Sequence, residues 1–234
     1  MKKYSLIALT VLCTNVGAQE FCPNLCLDFS MGPSYVIPYG YGTSGDINFP
    51  ASPSANISGS NLEYQKVLGW DVSVGTTFFQ DFRFSVDYEY AASKISTRSA
   101  VLSEDSYNAD LFLNTLLLKS RYIAPWTFGI TRFYVEAGIG MANLATSQQR
   151  LITTADLAPF TLPNHNVWRL AFSAEVGAKT YLYNHLSLEY GVRYTNYGRY
   201  SSGVNLIEQR AQLYGSVSAH LWSIAPYVSL DLAF

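Results

Sequence analysis

The sequence predicts an all-β fold, an eight-stranded antiparallel up-and-down transmembrane β-barrel, and three observations carry that expectation. Apolar and polar residues alternate with period two through eight segments of the 234-residue chain. The links between those segments alternate between short and long. The apolar face has large aromatics at its margins, while the opposite face mixes Gly, Ser and Thr with charges of both signs, the inverse of a soluble exterior.

The chain begins with Lys2 and Lys3, an apolar stretch from Leu6 to Cys13, and Val16-Gly17-Ala18 at signal-peptidase spacing. Residues 1–18 are therefore expected to be a secretory signal, with residues 19–234 forming the barrel domain. The apolar stretch is too short to span a bilayer, and Thr14 and Asn15 interrupt it, so a membrane anchor is the weaker reading. Neither Cys13 nor Cys22 sits in a lipoprotein-processing pattern. Cys22 and Cys26 remain after cleavage. Fully extended, their Cα atoms would lie about 13 Å apart, beyond the ~7 Å a disulfide tolerates, so a bridge between them needs a turn at Pro23-Asn24. An exported chain permits that bridge; free thiols are the alternative, and two ligands do not make a metal site.

The first strand is expected over 25–36, with Leu25, Leu27, Phe29 and Met31 opposite Asp28, Ser30, Gly32 and Ser34. The next two form a hairpin. In 67–79, Trp70, Val72, Val74, Thr76 and Phe78 share a face, and in 82–92 Phe82, Phe84, Val86, Tyr88 and Tyr90 do so. The fourth, 111–123, blurs the period, with Leu116, Leu118 and Tyr122 assigned outward and Thr115, Lys119 and Arg121 inward. Three clear alternations follow at 132–142, 168–182 and 186–197; the second sets Trp168, Leu170, Phe172, Ala174, Val176, Ala178 and Leu182 outward. The last strand, about 219–234, carries Val228, Leu230, Leu232 and Phe234 on its apolar face.

Short links at 80–81, 124–131 and 183–185 fall at one end, and long ones at 37–66, 97–110, 147–166 and 199–216 at the other. That asymmetry separates periplasmic turns from extracellular loops. A lipocalin-like cup or soluble sandwich would turn the apolar face inward, but would not place Trp70, Trp168 and Trp222 at one margin and Phe78, Phe82, Phe133 and Leu182 at the other. A strand in hydrocarbon cannot leave its backbone unpaired, so the first strand must pair with the last. Pro226 removes one ladder hydrogen bond and is expected to mark a bulge.

The inward face holds Asp28, Asp71, Asp87, Glu89, Glu136, Glu175, Glu189 and Asp231 against Arg83, Lys119, Arg121, Arg169, Lys179 and Arg193. Eight strands leave an interior that side chains fill. A polar plug of ion pairs is expected, and no wide pore.

The terminal pattern of Leu230, Leu232 and Phe234 resembles the last strand of outer-membrane barrels, which the barrel-assembly machinery reads. Over residues 19–234 the chain resembles small barrels of the opacity-protein and OmpA-type transmembrane class, and departs from them in its first loop, 37–66. The resemblance implies a surface-exposed protein of the bacterial outer membrane, in contact with lipid and lipopolysaccharide, in some members an adhesin binding host or extracellular surface ligands through its loops. Its rivals are a lipid A-modifying enzyme and a small diffusion channel.

No catalytic site is expected. His165 lies in the third long loop, His185 in a short turn, and His220 faces outward beside Ser218 and Trp222. A Ser-His hydrolase needs an acid as well, and no acid can be placed on that face. Gly138-x-Gly140 lies within a strand and makes room in the lumen, with no helix after it to hold a nucleotide. Asn56-Ile57-Ser58 matches a glycosylation acceptor by chance. No cofactor or metal is expected, and a net charge of −2 without a basic run gives no case for nucleic acid. Aromatics in loop 1 (Tyr39, Tyr41, Phe49, Tyr64) and apolar residues in loop 3 (Leu151, Ile152, Leu157, Phe160, Leu162) suit either contact with a partner or packing over the barrel mouth.

Overall fold

A computed structural model describes residues 25–41, 45–49, 52–57, 62–78, 81–98, 106–153, 156–162, 164–183, 185–201, 207–208, 211–214 and 218–234. The expected signal and Cys22 lie outside the described residues; Cys26 is disulfide-bonded. Eight long strands form the wall: β1 (Leu25–Tyr41), β2 (Val67–Phe78), β3 (Phe82–Arg98), β4 (Ser106–Phe128), β5 (Thr131–Thr153), β6 (His165–Tyr183), β7 (Leu186–Ser201) and β8 (Ser218–Ala233). Each pairs antiparallel with its sequence neighbour, and β8 pairs with β1, which closes the barrel. The closure runs to the last residue: Phe234 N–H donates to the Leu27 carbonyl at 2.8 Å, and Leu27 N–H to that of Phe234 at 3.2 Å.

Side chains alternate outward and inward as period two requires. On β1, Leu25, Leu27, Phe29 and Met31 are exposed while Asp28, Ser30 and Ser34 are buried. On β4, Leu116, Leu118 and Tyr122 are exposed and Thr115, Lys119 and Arg121 buried, so the blurred segment takes the expected orientation. Aromatics rim the exposed belt: Tyr39 stacks on Trp222 at 4.4 Å near the long-loop end, and Phe82 meets Tyr122 at 5.3 Å near the short-turn end. Ala178 is outward by parity yet buried, a small side chain between its larger cross-strand partners Phe133 and Tyr190.

Three expectations change. The link 124–131 is in fact a two-residue turn, because β4 continues to Phe128, opposite Thr131; Gly129 takes φ 65° there, as tight hairpins require. Pro226 marks no bulge, since Ser34↔Tyr227 and Ile37↔Ile224 keep one register past it, as does Val192↔Pro226 on the other side. The irregularity falls instead at Asn196/Gly198, where Gly198 has φ 78°.

The third change is largest: much of the expected loop sequence is strand. β4 and β5 reach 23 residues each, against the roughly ten needed to cross a bilayer at a tilt. Asp156–Leu162 folds back on β5, and His165 is the first residue of β6 rather than a loop residue. Segments of loops 1 and 4 join in a second antiparallel sheet, in which Ile207–Glu208, Ala211–Tyr214, Gly45–Phe49 and Ser52–Ile57 pair in that order.

Candidate functional site: a sealed lumen beneath an extended rim

Cross-strand register sets the lumen chemistry. Arg121 stands opposite Glu136, Glu136 opposite Glu175, Glu175 opposite Arg193, and Lys179 opposite Glu189. Side chains of both signs that share the inner face must meet across a narrow interior, and the facing carboxylates Glu136 and Glu175 need cations from either side. Arg121 contacts Glu136 and Glu189, each at 2.6 Å. Lys119 Nζ lies 2.9 Å from Asp87, 3.2 Å from Glu89 and 3.4 Å from Glu136. Arg193 holds Glu175 at 2.7 Å, Asp71 at 2.8 Å and Glu89 at 3.0 Å. Arg83 bonds Asp28 at 2.6 Å, and Lys179 bonds Asp231 at 2.5 Å. These contacts bring together every predicted lumen residue except one.

The exception is Arg169. Its Nε donates to the Arg199 carbonyl at 2.9 Å, and its stem lies against Gly198, where an added Cβ would come within 3.1 Å of its own. The inward parity is kept, but the position is too near the mouth to reach a lumen carboxylate.

Tyrosines complete the network. The Tyr134 and Tyr227 hydroxyls bond each other, and Tyr227 donates to Glu175 at 2.5 Å. The Arg121 guanidinium lies 3.9 Å from the Tyr134 ring centroid, a placement its charge favours. Two glycines supply the room: a Cβ at Gly138 would come within 2.7 Å of Lys119 Cγ, and one at Gly177 within 2.6 Å of the Tyr134 hydroxyl. At the short-turn end Arg132 binds Asp81 at 2.6 Å and the Ala124 carbonyl at 2.9 Å. This pair was legible only as the inward parity of Arg132.

Above the ions the lumen turns apolar. Leu111, Leu113, Leu144 and Leu221 are buried on the inner face with Tyr197 and Tyr200, and Leu117 reaches down to the level of Asp87. An ion-pair plug alone was expected; the interior in fact has two layers. Its signal was the blurred period of β4, since a strand lined by leucine on both faces in its upper half cannot alternate. Between the layers, Asp71, Glu89, Thr115, Arg193 and Tyr197 border a cavity of about 10 Å³, enough for a single water. Reconstituted in planar bilayers, the barrel is therefore expected to show no steady unitary conductance, and a stable open level would refute the seal.

The histidines stand apart. His185 Nδ1 lies 2.8 Å from the Ala233 carbonyl and ties the last turn to β8. The ladder neighbours of His220 are Tyr41 and Arg199, neither an acid. Among the described residues no cluster of three His, Cys, Asp or Glu could hold a metal ion.

No protein-family model matches the chain, and no curated protein sequence matches it. Solved structures do resemble it. The outer membrane protein OprG from Pseudomonas aeruginosa superposes with a TM-score of 0.57 at 12% identity, over 90% of this chain and 97% of that one. The outer membrane protease OmpT from Escherichia coli gives 0.49 at 8% identity, over 95% and 100%. Neisserial surface protein A gives 0.47 at 11%, over 89% and 97%. At such identities the likeness is one of fold: the chain has the fold of small bacterial outer-membrane β-barrels.

Proposed function

We propose that this chain, with the fold of the small outer-membrane barrels, is a surface-exposed structural and interaction protein that binds through its extracellular elements. One observation carries the reading: the lumen is filled while the strands continue well past the belt. A filled lumen leaves little path for a solute. Strand pairing continued beyond the membrane instead makes a stiff pedestal, the kind of scaffold on which binding segments are displayed. The ladder between loops 1 and 4, Leu213↔Ile47 among its pairs, presents those segments as one ordered sheet. In this reading β8, with Phe234 directly after it, is what the barrel-assembly machinery engages, and host or extracellular surface ligands are what the sheet meets.

The test removes 45–57 and 207–214 together, since each is the other's partner. Unboiled and boiled samples should still differ in electrophoretic mobility, as for a folded barrel, while adhesion of expressing cells to host cells or matrix should fall to the level of cells without the protein. Unchanged adhesion with the barrel intact would remove the binding role.

A further inference from the structure

Above the belt, neighbouring strands present charge in a fixed order. β3 outruns β2, and beyond Ala91 it pairs on that side with Leu62–Tyr64, where Glu63 stands opposite Ser96. On its other side Lys94 is opposite Asp110 of β4, and Ser96 opposite Asn108. Asn108 in turn is opposite Arg150 of β5. Lys94 and Ser96 share the outward parity of the exposed Tyr88 and Tyr90, and their ladder partners face the same way. From strand to strand the outer face therefore reads Glu63, Lys94, Asp110, Arg150, negative and positive in turn. These side chains border an open shelf of about 660 Å³.

Regular pairing would not put Arg150 there. Ser147 is opposite Asp110 and Arg150 opposite Asn108, so β5 advances three residues where β4 advances two. The extra residue makes a bulge, and Gln148 within it has φ 50°, a left-handed conformation that residues other than glycine seldom adopt. Past the bulge the parity of β5 is reversed: Gln149 is buried and Arg150 exposed. Local strain thus turns a cation onto the shelf.

The shelf charges are not consumed within the chain. Among the described residues no ion pair joins any of these four side chains, although Lys94 and Asp110 are direct cross-strand neighbours. A ligand of a single sign would be repelled by half of them. The order has another property: read from the opposite direction, every sign is inverted. A two-fold axis along the membrane normal, passing between β3 and β4, reverses the strand order. It sets Lys94 against the partner's Asp110 and Glu63 against the partner's Arg150, each contact occurring twice. One row lower the exposed Ala92 stands opposite Phe112, and the same axis brings each phenylalanine over the partner's alanine, large against small.

We propose that this shelf is the contact between two copies of the barrel lying side by side in one membrane. Barrel strands tilt by roughly 35–45°, so the two β3–β4 pairs cross and contact is confined to the rows nearest the axis. Both copies are already held upright by the bilayer, which removes part of the freedom that association costs and lets a small contact serve.

Two batches of purified barrel, labelled with donor and acceptor dyes, would be reconstituted together in phosphatidylcholine vesicles at increasing dilution, and association read from energy transfer. Parent barrels should associate beyond chance proximity. Lys94→Glu alone and Asp110→Lys alone should each weaken self-association about tenfold or more, since like charges then meet at both occurrences of the contact. A mixture of those two variants should recover the parent level, because each then offers the other the opposite charge at both contacts. Charge repulsion inside one chain would be the same in the mixture as in either variant alone. Glu63→Arg with Arg150→Glu repeats the test on the second contact, and heat-modifiable mobility of all four variants should match the parent. Parent barrels that stay monomeric, single variants that associate like the parent, or mixtures that fail to recover in both pairs would overturn the contact.

Discussion

Leu118→Arg is expected to destabilise the folded barrel in lipid vesicles by about 2–4 kcal/mol, the cost of a cation near the bilayer midplane on a lipid-facing strand. Leu118 is 63% exposed and lies between Val86 and Ile139 on the neighbouring strands, both outward-facing and apolar. By exposure alone the substitution would be benign, since changes on a water-facing surface usually stay within about 0.5 kcal/mol. The control is Ser96→Arg on β3, outward by parity but above the belt, opposite Asn108 on one side and Glu63 on the other. It should leave stability within that small range. Urea unfolding followed by tryptophan emission separates the two sites. Equal midpoints for both variants would mean that water, and not hydrocarbon, meets the face carrying Leu118.

The same boundary between solvents explains what could be seen in the sequence. β2, β3, β5, β6, β7 and β8 were legible because within the membrane one face meets lipid and the other a polar lumen, so period two is written into residue type. Higher on the same strands the outward face meets water. Ser96, Asn108 and Gln148 are outside the belt, alternation fades there, and strand reads as loop although backbone pairing continues. The upper half of β4 failed in the opposite sense, with Leu111, Leu113 and Leu117 packed inside where polar residues were expected.

The candidate site was legible in kind and less so in height. Parity places a side chain inside or outside, and it did so for each lumen charge. Which charge meets which depends on the stagger between strands, and that is a property of the closed sheet. Arg169 illustrates the difference: parity carries it inward, and stagger leaves it at the mouth beside the Arg199 carbonyl. The charged shelf was hidden for a related reason. Glu63 and Arg150 read as loop residues, and nothing local says that the segment holding Glu63 would pair with β3, or that a bulge would turn Arg150 outward.

Arg121→Met is expected to cost about 3–5 kcal/mol, because removing one member of a buried ionic group leaves its partners charged, short of compensating charge and cut off from water. Arg121 is 3% exposed and bridges Glu136 and Glu189 at 2.6 Å each, with Glu175 at 3.6 Å. Lys119 and Lys179 remain nearby, at 3.4 Å from Glu136 and Glu189 respectively, but each also serves an aspartate at shorter range, Asp87 at 2.9 Å and Asp231 at 2.5 Å. Arg121→Lys should recover part of the loss only, since a single ammonium cannot reproduce the two-armed reach of a guanidinium. The decisive variant combines Arg121→Met with Glu136→Gln and Glu189→Gln. If unpaired charge is the cause, neutralising both carboxylates restores most of the stability, because a matched removal is far less costly than a one-sided one. If the triple variant unfolds as readily as the single one, the arginine acts chiefly through its packing on the Tyr134 ring, 3.9 Å away, and the lumen is held by shape more than by charge.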